Sequence, residues 1–123
     1  RLYLVMPIIR GLDVDAALRR DGPMAPARAV RVVEQIAAAL DAAHAHGLVH
    51  RDVKPSNALM TDHDFVYLID FGIAQDNSAS KLTTASRTVG TWAYMAPERL
   101  MSDVADARTD VYALACVLYE CLT

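Results

Sequence analysis

Apolar positions along the chain repeat with two different periods. From Pro26 to His46, Ala29, Val30, Val33, Ile36, Ala37, Leu40 and Ala43 fall three or four residues apart, with proline at the start and Gly47 just beyond the end. That spacing predicts an amphipathic helix of about five turns. Asp13 to Arg20 is a shorter version, with a polar opening residue, an apolar stripe of Leu12, Val14, Ala17 and Leu18, and a stop at Asp21-Gly22-Pro23. Arg108 to Thr123 is apolar on nearly every side, which predicts a buried helix. Between these lie short unbroken apolar runs of strand length. Leu2 to Met6 is halted by Pro7, while Ala58 to Met60 and Phe65 to Ile69 flank an Asp62-His63-Asp64 turn as a hairpin. Asp76 to Arg87 has no apolar period and reads as a loop. Long helices with a few short strands make the class α+β.

Composition narrows the possibilities without choosing among them. A chain of 123 residues is one domain or part of one, large enough for a modest core. A net charge of -3 gives no basic field, so no nucleic-acid partner is expected. No apolar run approaches the roughly 18 residues of a membrane span. Cys116 and Cys121 stand five apart in one apolar run and read as small core residues, which suits a reducing compartment without establishing it. His44 and His46 sit near the end of the long helix, where the macrodipole favours a cation; His63 between two aspartates reads as turn polarity before metal ligation.

The chemistry is concentrated in His50-Arg51-Asp52-Val53-Lys54-Pro55-Ser56-Asn57 and, eighteen residues after Asp52, Asp70-Phe71-Gly72. Two carboxylates, an amide and an ammonium on loops between apolar runs suit a site holding metal ions against phosphate. Asp52 can accept a proton from an attacking hydroxyl and Lys54 can neutralise phosphoryl charge, while Asn57 and Asp70 offer hard oxygen ligands. A lone D-x-x-x-x-N recurs by chance; its order with D-F-G and with Ala96-Pro97-Glu98 is specific.

On these residues the chain resembles the eukaryotic-type protein kinases, most of all the bacterial receptor-type serine/threonine kinases. The resemblance implies a partial catalytic domain over residues 1–123, running from hinge through catalytic loop and activation segment to the start of the central helix. The fold it implies is a mainly helical large lobe with short β-hairpins around the catalytic loop, the small lobe missing. The substrate is then ATP with Mg2+, Mn2+ being an alternative, and the acceptors are Ser/Thr hydroxyls of proteins. Asp52, Lys54 and Asn57 are the implied catalytic residues. Met6, Pro7 and Ile9 line the adenine, with Met6 as gatekeeper, the Pro7 carbonyl as acceptor and the Ile9 N–H as donor. Lys54, Asn57 and Asp70 complete the nucleotide site, and Asn57 and Asp70 take the metal.

Regulation is expected through phosphorylation at Thr83 or Thr84, with Ser86 and Thr88 behind them, answered by the Arg51 cation. His50, Phe71, Gly72, Thr91, Glu98 and Asp110 are supporting residues, with Asp110 matching the aspartate that holds the catalytic-loop backbone. Lys54 and Thr91 favour the serine/threonine branch, and Val89 to Glu98 separates protein kinases from small-molecule phosphotransferases. The resemblance implies a cytoplasmic catalytic domain of a single-pass membrane protein, with a homodimer for trans-autophosphorylation as an expected partner. The Gly-rich loop, the strand lysine and the final helices are absent from these residues, so an isolated fragment is expected to be inactive and poorly soluble. A non-catalytic interaction module, or pseudokinase, is the alternative; the intact set Asp52, Lys54, Asn57 and Asp70 speaks against it.

Overall fold

In a computed structural model, residues 7–71, 92–101 and 105–123 are described. The order is β1 (Leu12–Asp13), α1 (Val14–Asp21), α2 (Pro26–His44), a 3-10 turn at Pro55–Asn57, β2 (Ala58–Met60), β3 (Val66–Leu68), a second 3-10 turn at Trp92–Tyr94, the short α3 (Glu98–Met101) and α4 (Ala107–Leu122). The expectations for Met6, Gly72, Thr83, Thr84, Ser86, Thr88 and Thr91 lie outside the described residues.

The three longer helices begin on local signals. Asp13 caps α1 through a 2.7 Å bond from the Ala16 N–H. Pro26 opens α2, where a missing N–H costs nothing. Asp106 caps α4 in a reciprocal box with Thr109. Beyond α2, Gly47 takes φ 72°, and the Leu48 N–H returns to the Ala43 carbonyl at 3.0 Å.

The three strands form one antiparallel sheet in the order β1-β2-β3, with Leu12 opposite Met60 and Leu59 opposite Tyr67. Strand β1 departs from expectation: Leu12 belongs to this pairing rather than to the α1 stripe and is 38% exposed. A two-residue strand has no period to read. Gly11 makes the pairing possible, because a Cβ there would stand 2.2 Å from the Met60 carbonyl oxygen.

The core lies between α2 and α4. The buried face of α2 is Ala29, Val32, Ile36, Leu40 and Ala43, packed with Ala113, Val117 and Cys121 of α4. Val32 replaces Val30 and Val33 of the expected stripe: it shares the angular phase of Ile36 and Leu40, whereas Val30 is 48% exposed. Fully burying each such aliphatic side chain contributes about 1.5–3 kcal/mol. Helix α4 corrects the expectation of burial all round. One face meets α2, while Val111, Tyr112, Tyr119 and Leu122 stay exposed, because among the described residues only one side of α4 is covered by a long helix. On its outer side a groove of about 570 Å3 is lined by Tyr94, Tyr112, Cys116 and Tyr119 among others. Cys116 and Cys121 are both free thiols, and burial pushes both pKa values up.

Helix α2 also grips the β2–β3 turn. Arg28 donates twice to the Asp64 carboxylate, with Nη2 at 2.8 Å, and this holds the Asp64 pKa below the usual carboxylate value. The Gln35 amide donates to the Asp64 carbonyl at 2.8 Å and accepts from the Val66 N–H at 3.0 Å. The hairpin that runs between Asn57 and Asp70 is thereby fixed to the main helix.

Candidate active site

The loop after α2 has no regular pairing, so side chains must satisfy its polar backbone. Asp110, buried near the start of α4, accepts the His50 N–H at Oδ2 and the Arg51 N–H at Oδ1, each at 2.8 Å. The His44 Nε2 lies 2.7 Å from the same Oδ2. One carboxylate therefore ties the end of α2, the loop and α4 together. The sequence pointed to Asp110 but not to His44, whose position at the end of α2 left only a general helix-end role legible.

His50 is fully buried, its ring 4.5 Å from that of Phe71. Its Nε2 faces the Ile69 carbonyl at 2.9 Å and so must donate, while its Nδ1 accepts the Asp52 N–H at 3.2 Å. Both roles are met by one neutral tautomer. Burial pushes the pKa of His50 down, partly offset by the bond to Ile69 and by the carboxylates of Asp110, Asp52 and Asp70. Those three carboxylates all act on one ring.

Asp52 divides its oxygens between two jobs. Oδ2 receives the Lys54 ammonium at 3.0 Å and the Asn57 Nδ2 at 3.1 Å. Oδ1 is buried and has no hydrogen-bond partner among the described residues. Such an atom in a native fold calls for an incoming donor. Asn57 also donates to the Asp52 carbonyl at 2.8 Å, so its Nδ2 is spent on Asp52 and its amide oxygen is the group left for an outside partner. Pro55–Asn57 forms the tight turn that brings the amide back to position 52.

The residue before Asp70 is tied to the same loop. The Ile69 N–H donates to the Asn57 carbonyl at 2.9 Å, and the Ile69 carbonyl takes the His50 ring. Asp70 itself is exposed and has φ 57°, an uncommon value for a residue with a Cβ, as does Arg51 at φ 69°. Strained residues cluster at functional sites because the surroundings hold them there.

Other sequence-predicted residues are more scattered. Pro7 is exposed and Ile9 half-buried, at the edge of the described chain. Glu98 accepts the Thr109 hydroxyl at 3.2 Å. Two contributors were not foreseen: Arg99, which donates to the Arg51 carbonyl at 2.8 Å, and Tyr94, whose hydroxyl donates to Glu120 and whose pKa burial drives upward. No local pattern announces partners that lie so far along the chain.

Hard oxygen donors from Asn57 and Asp70 fit magnesium. Among the described residues no group of three or more His, Cys, Asp or Glu converges as a complete metal cage. Asn57 and Asp70 would therefore hold an ion only together with further ligands from substrate or water.

Comparison with known proteins points the same way. The family model of the protein kinase domain matches residues 1–123. Serine/threonine-protein kinase PknH of Mycobacterium tuberculosis is 56% identical over 123 residues, which is all of this chain and 20% of that protein. PknE of the same species is 58% identical, again over all of this chain and 22% of its own length. PknD of that species is 56% identical, with 18% of its length covered. The chain thus spans about a fifth of the length of these curated relatives.

Proposed function

Because the chain belongs to the protein kinase family, we propose that it carries the catalytic and metal-side loops of a serine/threonine kinase acting on proteins. The reaction moves the ATP γ-phosphoryl group to a Ser or Thr hydroxyl. The hydroxyl oxygen bonds to phosphorus as the bond to the ADP oxygen breaks, and the hydroxyl proton passes to Asp52 Oδ1. The single observation that carries this reading is the split use of the Asp52 carboxylate. Lys54 and Asn57 fix one oxygen, leaving the other buried and waiting for a donor.

Lys54, paired with Asp52 Oδ2 at 3.0 Å, would neutralise charge on the transferring group once the substrate arrives. Asn57 and Asp70 would hold magnesium, or manganese, through their oxygen atoms. The chemistry such an ion would supply is neutralisation of the charge that develops on the phosphate. Met6, Pro7 and Ile9 would line the adenine.

In D52N the side chain keeps its shape and loses its basicity. Turnover of the full-length protein carrying it should fall at least about a hundredfold, the scale of general-base contributions; near-normal turnover would remove Asp52 from the role.

Regulation is proposed through phosphate on Thr83 or Thr84, with Ser86 and Thr88 as secondary sites and Arg51 as the cation that answers it. Mass spectrometry of the active protein should find phosphate between residues 78 and 91, and its absence there would contradict this. Trans-autophosphorylation in a homodimer and tethering of a cytoplasmic catalytic domain by a single membrane span are part of the same reading. Among the described residues no helix is long and apolar enough to cross a membrane.

A further inference from the structure

The peptide between Arg51 and Asp52 is a rigid plane that decides where the Asp52 side chain begins. Its N–H end is held by His50 Nδ1 at 3.2 Å. Its carbonyl end receives Arg99 Nη1 at 2.8 Å, from the start of α3. Arg51 itself is pinned at its own N–H by Asp110 and holds φ 69°, a conformation that a side chain bearing a Cβ leaves readily when its restraints go. Arg51, Asp52, Arg99 and Asp110 help to line a hollow of only about 10 Å3. That is room for one water while the guanidinium is in place; its removal leaves the Arg51 carbonyl to mobile water, which lacks the fixed geometry of the side chain.

We propose that Arg99 is a positioning residue for phosphoryl transfer, acting through the Arg51–Asp52 peptide. Without it the plane is restrained at one end only, and the Asp52 carboxylate drifts from the hydroxyl it must meet. The same contact ties α3 to the catalytic loop. Neighbouring Glu98 accepts the Thr109 hydroxyl at 3.2 Å, which seats α3 on α4, so the seat of α3 is read out at Asp52. The inference rests on the reading of Asp52 as the base.

The test compares R99M, R99K and D52N in the full-length protein, with Mg-ATP, a Ser/Thr peptide and thermal unfolding. R99M should lower kcat about tenfold or more, the scale of a small misplacement of a reacting group, with KM for ATP within about twofold of the parent. R99K, which keeps a donor, should recover part of that kcat. Where R99M does not fold, R99Q takes its place with the same loss expected. A kcat within about twofold of the parent for R99M or R99Q, while D52N loses turnover, overturns the role of Arg99 alone. So does a kcat loss that follows the folded fraction and is not recovered by lysine. Normal turnover in D52N overturns the reading of Asp52, and this inference with it.

Discussion

The α2–α4 seam and the loop from His50 to Asn57 solve opposite problems. The seam buries Ile36, Leu40 and Val117, and apart from the His44–Asp110 contact at its end its stability is spread over many interchangeable apolar contacts. The loop buries His50 and Asn57 and satisfies its backbone with individual side chains, Asp110 and Arg99 from elsewhere in the chain and the His50 ring from the loop itself. Loss of one such partner leaves donors or acceptors stranded, whereas loss of one methyl group from the seam leaves a smaller void. Position in the loop thus rests on a few individual side chains, and stability in the seam on many shared contacts.

The sharpest way to break the contrast is D110A. It strands the His50 and Arg51 N–H groups and the His44 ring together, so it should cost about 3–5 kcal/mol in chemical denaturation and also depress turnover of the molecules that remain folded. I36A, in the seam, should cost about 2–4 kcal/mol while the folded fraction keeps its kcat, a separation that activity per folded molecule would read directly. Q35L releases the β2–β3 turn from α2 at the expense of two hydrogen bonds, and about 1–2 kcal/mol should be lost on the same denaturation curve.

The smallest effect expected is that of pH on His50. Its folded pKa lies below the unfolded value near 6.5, so the unfolded state binds more protons in that range and stability rises with pH. Its contribution is full above about pH 6.5 and is lost as the pH falls through 6.5 towards the lower folded value. Thermal melts from pH 7.5 to 5.5 should show this decline, and H50Q should flatten it.

This contrast also explains what the sequence made legible. Helix α2 was readable because Ile36, Leu40 and Ala43 repeat with its period, and its start at Pro26 is a local signal. The phase was harder: Val30, Val32 and Val33 are chemically alike, and only the position of α4 selects Val32. The chain-order motif around Asp52 named the chemistry. The partners that hold it were hidden, because the contacts of His44 with Asp110 and of Arg99 with the Arg51 carbonyl join residues 66 and 48 positions apart. Strand β1 escaped notice for a related reason, since its two residues become a strand only by pairing with β2.

The account depends on the carboxylates at 52 and 70 serving one nucleotide pocket, and the most direct measurement is a crystal structure of the full-length protein's catalytic domain with magnesium and a non-hydrolysable ATP analogue. The account predicts Asp70 and the Asn57 amide oxygen on the metal, with Asp52 Oδ1 facing the terminal phosphate from the acceptor side. A nucleotide bound with Asp70 turned away from it, or with Asp52 Oδ1 still sealed from the phosphate, would contradict it.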